Sequence, residues 1–309
     1  MVPIPSPDPA PGGHGAAEPS GVQVYRNGRA CALTDRGRVR ERNEDAFALS
    51  WTDPAVLVVA DGMGGHPAGE VASRIAAGTA LQWLTGGPGP TQGPNAEPQA
   101  GLPAVSYQAA DGPPQGQGAG PVVGREGASP GAPSAAPLEA AVRAAHRAVL
   151  DATELRPEWR GMGTALTVAR ISGERLDTCH VGDVRVYLFR DGALLQLTSD
   201  HSAAAELLRR GALTATQARG HHLRHRLSQA LGEHGSIEPE SHRVRLVPGD
   251  AVVLCSDGLW EAVSDGEMGI LLGEPVPLER RVASLVDAAN RAGGRDNITA
   301  LVYEYRPGS

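Results

Sequence analysis

Val56-Leu57-Val58-Val59-Ala60-Asp61-Gly62-Met63-Gly64-Gly65 is an unbroken apolar run that ends on a carboxylate and then on glycines. It reads as a buried strand, and a charge at the end of such a strand is expensive to desolvate unless something compensates it. The arrangement recurs in Val252-Val253-Leu254-Cys255-Ser256-Asp257-Gly258. Asp296 likewise sits where a turn meets an apolar run, with asparagine after it, in Gly293-Gly294-Arg295-Asp296-Asn297-Ile298-Thr299. Three carboxylates so placed point to one shared solution, a hard cation held by oxygen ligands, and so to a metal-dependent enzyme.

Around these runs the chain alternates between strand and helix patterns. Val22–Leu33, Ala46–Leu49 and Ala55–Ala60 read as strands, and Ala68–Leu84 and Leu138–Leu155 as helices. Strands then dominate: Thr164–Ile171, Leu176–Val181, Val184–Phe189 and Ala193–Leu197. Short turns at Ser172–Arg175, Gly182–Asp183 and Arg190–Gly192 imply an antiparallel meander. A helical region over Ala203–Gly220 precedes strands at Arg243–Leu246 and Ala251–Cys255, a helix at Leu278–Ala292 and a closing strand at Ile298–Tyr305. Two blocks of strands, each with helices, suggest stacked sheets covered by helices, an α+β sandwich.

The 309 residues include 41% hydrophobic but only 4% aromatic ones, so Val, Leu and Ala must fill most of the core. A net charge of −7 argues against non-specific nucleic-acid binding, which needs a basic surface. Three cysteines, Cys31, Cys179 and Cys255, fit a reducing compartment better than a disulfide framework. With neither a run of membrane-spanning length nor a signal-peptide start, a cytoplasmic protein is expected. Residues 1–20 and about 86–137 are rich in Pro, Gly, Ala and Ser. They are expected to be a disordered tail and a disordered insertion between two helices of a single catalytic domain, 21–306.

The segment from Thr34 to Asp45 is dense in charge. Arg40 suits bidentate phosphate binding and the Glu44-Asp45 pair suits a cation. Together with the glycine-flanked carboxylates, these residues resemble the metal-dependent protein phosphatases (the PPM, or type 2C, family). The matching segments are Arg40–Asp45, Asp61–His66, Gly163–Leu166, Gly182–Arg185, Ser256–Gly258 and Arg295–Asn297, and Asp-Gly-Met-Gly-Gly is similar to the bacterial branch. The resemblance implies a four-layer α-β-β-α sandwich of two antiparallel sheets flanked by helix pairs, with two Mn²⁺ or Mg²⁺ ions at one end. It implies that Asp61 bridges both ions, with Asp257 and Asp296 completing the first site. Gly62, through its carbonyl, and Glu44 would hold the second ion, and Asp183 with Asp257 a weaker third. Arg40 would grip the phosphate, and residues 201–231 would form a flap beside the site. Phosphorylated proteins would be the substrates, and a bacterial Ser/Thr protein kinase and its targets the partners.

Electrostatics makes the same demand. Like charges about 4 Å apart repel by about 4 kcal/mol at an effective dielectric near 20. Bridging cations relieve that repulsion and lower the pKa of bound water, so that a metal-bridging water or hydroxide attacks phosphorus. Some family members carry a histidine directly after the Asp-Gly pair as general acid. Met63 stands there in this chain and cannot donate a proton; nearby His66 reads as an exposed turn residue.

Several patterns share letters with other chemistry. Cys179 to Arg185 has the Cys-x5-Arg spacing of cysteine phosphatases, but alternation at Val184, Val186 and Leu188 makes it strand, with Gly182-Asp183 as a hairpin turn. Ser129 sits between glycines in a nucleophile-elbow pattern, but in low-complexity sequence with no strand before it. His221, His222 and His225 offer an i,i+4 pair for zinc, without a cysteine or carboxylate close in sequence and among Arg219, Arg224 and Arg226. A basic exposed surface is the better reading. A metal-binding interaction protein without activity is the competing class, and a phosphorylated anti-sigma-factor antagonist is the competing substrate. Loss of acidic ligands would favour the inactive class, and none is missing.

Overall fold

The strand beginning at Ala55 runs on to Gly62, and its residues from Ala55 to Ala60 are all buried. Leu57 and Val59 point into one apolar cluster, Val56, Val58 and Ala60 into another. A strand buried on both faces requires a layer on each side. In the computed structural model, residues 23–25, 27–50, 53–63, 68–86 and 136–307 are described. The tail at 1–20 and nearly all of the 86–137 insertion lie outside them.

The elements in chain order begin with β1 (Gln23–Tyr25), β2 (Gly28–Asp35), β3 (Asp45–Leu49), β4 (Ala55–Gly62), α1 (Gly69–Thr85) and α2 (Ala136–Leu155). Then come β5 (Thr164–Ser172), β6 (Arg175–Val181), β7 (Arg185–Arg190), β8 (Ala193–Gln196), α3 (Ala203–Arg209) and α4 (Ala215–Arg219). The chain closes with β9 (Glu240–Arg245), β10 (Ala251–Cys255), α5 (Asp257–Trp260), α6 (Asp265–Gly273), α7 (Leu278–Arg291) and β11 (Ile298–Tyr305). One sheet has the order β1-β2-β11-β10-β7-β8, the other β3-β4-β5-β6-β9. Every pairing in both is antiparallel.

Period-two alternation along the central strands sorts side chains between layers. Leu57, Val59, Ala169, Val186, Val252, Leu254 and Leu301 fill the space between the sheets. Val58, Leu166, Val168 and Val181 meet α1 and α2 through Ala72, Ala76, Val142 and Val149. Val253, Cys255, Ala300 and Val302 meet α5, α6 and α7 through Leu259, Met268, Val282 and Leu285. The four-layer α-β-β-α sandwich follows.

Three local expectations are corrected. The strand read over Val22–Leu33 is two, because the chain turns back so that Tyr25 pairs with Gly28. The continuous meander fails at Gly182-Asp183. β5 pairs with β6 and β7 with β8, but β6 and β7 lie in different sheets. Gly182 has φ +103°, and a Cβ there would lie 2.4 Å from the Ala165 Cβ, so this turn carries the chain across the sandwich where only glycine fits. The helical region from Ala203 breaks at Gly211 (φ +72°), and Thr214 opens a new helix with a capping box to Gln217. Beyond these expectations the structure adds two short helices, α5 of 4 residues and α6 of 9.

Candidate metal centre

β3 and β4 pair with Asp45 opposite Asp61, which puts both carboxylates at one end of the same sheet. β10 and β11 end nearby in the other sheet, and Asp257 and Asp296 follow and precede them. Two hydroxyls tie these ends together. Ser256 Oγ and Thr299 Oγ1 donate to Asp45 Oδ2 at 2.7 and 2.6 Å. Because Ser256 Oγ is used this way, it does not cap α5, and Asp257 begins that helix.

Asn297 organises the loop between β2 and β3. Its Nδ2 donates to the carbonyls of Arg36 and Arg42 at 2.9 and 2.8 Å, and its Oδ1 accepts the Glu44 N–H at 2.8 Å. The loop therefore presents Glu44 to the start of α1, where a Cβ on Gly69 would lie 3.0 Å from Glu44 Oε1. Gly62 is wedged beneath: a Cβ there would lie 2.4 Å from the Gly69 carbonyl and 2.7 Å from that of Glu44. Arg40 Nη2 donates to Asp296 Oδ2 at 2.7 Å, with both side chains half-buried.

Burial pushes the Asp61 carboxyl well above the usual carboxylate range, and Asp45, Asp257, Asp183 and Asp296 push it further. Asp257 is raised in the same way, by burial and then by Asp183, Asp296 and Glu261. Asp183 is pushed up to about 7 by burial and then by Asp200. Asp45 is pushed up to about 6 by burial, against the hydroxyl hydrogen bonds from Thr299 and Ser256 that hold it down. Glu44 is raised by burial and then by Glu70. The mutual repulsion of Asp61, Asp257, Asp183 and Asp296 places all four in one electrostatic cluster. Asp45 Oδ1 is buried there with no hydrogen-bond partner. An all-oxygen donor set with repelling charges and an orphaned oxygen fits hard divalent cations.

Comparison with known proteins agrees. The protein phosphatase 2C family profile matches residues 35–301.

The chain belongs to the protein phosphatase 2C family.

Among similar proteins is the serine/threonine protein phosphatase PstP of Mycobacterium tuberculosis, 34% identical over 276 residues, which are 89% of this chain and 45% of PstP. The chain thus spans about half the length of that curated relative. The serine/threonine phosphatase stp of Listeria monocytogenes is 32% identical over 88% of this chain and 93% of its own length. The crystal structure of the PstP catalytic domain in complex with two manganese ions superposes with a TM-score of 0.68 at 33% identity, covering 91% of this chain and 99% of that one.

In this type 2C phosphatase family member, the 201–231 segment lies against the Asp257 corner. His225, Asp257 and Glu261 each offer a ligand atom within 4.8 Å of the others. His225 Nδ1 is 3.2 Å from Glu261 Oε1, and Arg224 Nε donates to the same oxygen at 3.1 Å. Glu261 is a long way along the chain from His225, so no local pattern signals this meeting. His225 is therefore not simply part of a basic surface. Asp45 is the other such residue: the acidic pair signals it, but its partners Ser256 and Thr299 lie far along the chain. Trp260 Nε1 donates to the Asp183 carbonyl at 3.1 Å, and the Arg185 guanidinium stacks 3.5 Å from the Trp260 ring centroid while gripping Asp200.

The decoys resolve on context. Cys179 is fully buried in β6, and burial pushes its thiol up to about 12, the opposite of what a nucleophile needs. Ser129 and His66 lie outside the described residues. Met63 is held by its N–H to the Gly163 carbonyl at 3.0 Å. No described helix is long and apolar enough to cross a membrane.

Proposed function

We propose that this chain is a metal-dependent protein serine/threonine phosphatase that hydrolyses phosphoserine and phosphothreonine, opposing a bacterial Ser/Thr protein kinase. The observation that carries this reading is the convergence of Asp61, Asp257, Asp296 and Asp183, with Arg40 on the rim of the same cluster. Asp61, Asp257 and Asp296 would hold one cation; Asp61, the Gly62 carbonyl and Glu44 a second; Asp183 and Asp257 a weaker third. Mn²⁺ and Mg²⁺ both suit these oxygen donors. Bound there, the cations supply charge neutralisation and an activated water nucleophile for in-line attack on phosphorus.

The chain's own residues do the rest. Arg40 is held in place by Asp296, whose hydrogen bond raises the guanidinium pKa further and keeps it charged at every working pH. Its planar fork can donate to two phosphate oxygens while Asp296 keeps it aimed. Asn297 fixes the loop that carries both Arg40 and Glu44. Met63 offers no proton to the leaving group.

The test is hydrolysis of p-nitrophenyl phosphate with Mn²⁺ and with excess EDTA, beside Asp257→Asn. Mn²⁺-dependent turnover is expected, abolished by EDTA and lowered at least about 10³-fold in the variant, the scale on which a site loses its main electrostatic stabiliser. Turnover that survives EDTA, or persists in Asp257→Asn, refutes the reading.

A further inference from the structure

His180, His201, His242 and Glu240 form a cluster that the proposed chemistry leaves unused. His180 and His201 are buried, and their rings stack at 4.7 Å with 26° between planes. His180 Nε2 lies 3.0 Å from the Ser199 carbonyl, which assigns the proton to that nitrogen. Glu240 has one oxygen 3.7 Å from His201 Nε2 and the other 2.7 Å from His242 Nε2. Three of these residues have ligand atoms within 4.8 Å of one another. Yet His201 Nδ1 is already occupied. It accepts the Gly182 N–H at 3.3 Å, which leaves its proton on Nε2, facing Glu240. The arrangement is one of orientation rather than metal ligation.

What His201 orients is specific. Its N–H donates to the Gly182 carbonyl at 2.9 Å while its ring accepts the Gly182 N–H, so one residue grips both polar groups of that glycine. Gly182, at φ +103°, is the point where the chain crosses between sheets, and the next residue is Asp183. The His201 carbonyl accepts the Ser228 N–H at 2.8 Å, Ala203 N–H donates to the Arg226 carbonyl at 2.9 Å, and Ser202 bridges to Leu227. These bonds close the base of the 201–231 segment, which carries His225 to the Asp257 corner.

We propose that His201 is a positioning residue for this reaction: it locks Gly182, and through it Asp183, to the closed base of the 201–231 segment. Gly182 so held sets where the Asp183 carboxylate stands, and Glu240 sets the angle of the ring. The effect on cation binding rests on the reading of Asp183 as a ligand given above. Outer partners of this kind orient ligands and tune affinity.

His201→Asn and His201→Gln separate this role from packing. Asn places an acceptor oxygen where Nδ1 stands; Gln reaches toward Glu240 but leaves Gly182 without its acceptor. Amide exchange of Gly182 and of residues 202–227, measured in EDTA, reads the lock without any cation. Mn²⁺ calorimetry on the full chain reads the weakest cation site. His201→Gln is expected to speed that exchange and weaken that site by about tenfold each, the scale of one lost hydrogen bond, while His201→Asn stays close to wild type. If His201→Gln does not fold, Glu240→Gln takes its place and shifts both readouts in the same direction by less. Equal loosening by Asn and Gln, or faster exchange at unchanged Mn²⁺ affinity, overturns the proposal. Absence of Mn²⁺ binding by the unmutated chain overturns the functional reading instead, and the exchange comparison still decides the lock.

Discussion

Asp61, Asp257, Asp183 and Asp45 all take up protons at higher pH in the folded chain than free carboxyls do, Asp183 at about 7 and Asp45 at about 6. Between an unfolded value near 3.9 and these folded values, the folded state binds the extra protons, so stability falls as pH rises through that window. In EDTA the apparent Tm should therefore drop between about pH 5.5 and about pH 8. Saturating Mn²⁺ should remove or invert that slope, because cations favour the ionised carboxylates. Thermal melts at both pH values, with and without Mn²⁺, check this; equal slopes would show that these carboxylates do not hold cations. That Asp61 and Asp257 stand where apolar runs end was legible in neighbouring residues. That Asp45 is braced by Ser256 and Thr299 was not, since those residues are more than two hundred positions away.

At the scale of elements, α5 is the most constrained piece. It is only 4 residues long, yet it carries Asp257, sends Trp260 to Asp183 and leads into Glu261. Gly258 lets it sit against the end of β11: a Cβ there would lie 2.0 Å from the Asn297 carbonyl oxygen, a backbone atom that cannot move aside. Gly258→Ala is expected to cost about 3 kcal/mol, at the upper end of ordinary overpacking, and to lower turnover by displacing Asp257. Gly266→Ala in α6 is the control: nothing lies within 4 Å of its Cβ position, and stability should hold or rise. Urea midpoints for the two variants decide it. Most strands were readable because alternation and turn residues are local signals. α5 was not, because a single helical turn carries no period and exists here through its packing on β11 and α7 (Leu259 among Val286 and Ile298).

For the whole molecule, α1 and α2 form an antiparallel pair over the β3-to-β9 sheet. α1 starts beside Glu44 at the carboxylate end, and α2 brings His146 and Val149 to Gly232, beside Gly163, at that same end. The junctions with residues 87–135 therefore lie together at the opposite end, away from the carboxylates. Replacing 88–134 with a Gly/Ser linker of about ten residues, long enough for neighbouring helices, should leave Mn²⁺-dependent turnover of p-nitrophenyl phosphate within about twofold of the intact chain. A loss of tenfold or so would mean that the segment contributes to the fold or the site. The sequence by itself determined the strand runs, the carboxylates that end them and the family, because apolar periodicity and short glycine-flanked motifs are written in neighbouring residues. Only the tertiary structure decided that β6 and β7 part company at Gly182, that Glu261 meets His225, and that His201 grips the glycine before Asp183. Those choices depend on which layers pack and which charges meet across the sandwich, and such contacts leave no periodic trace in the chain.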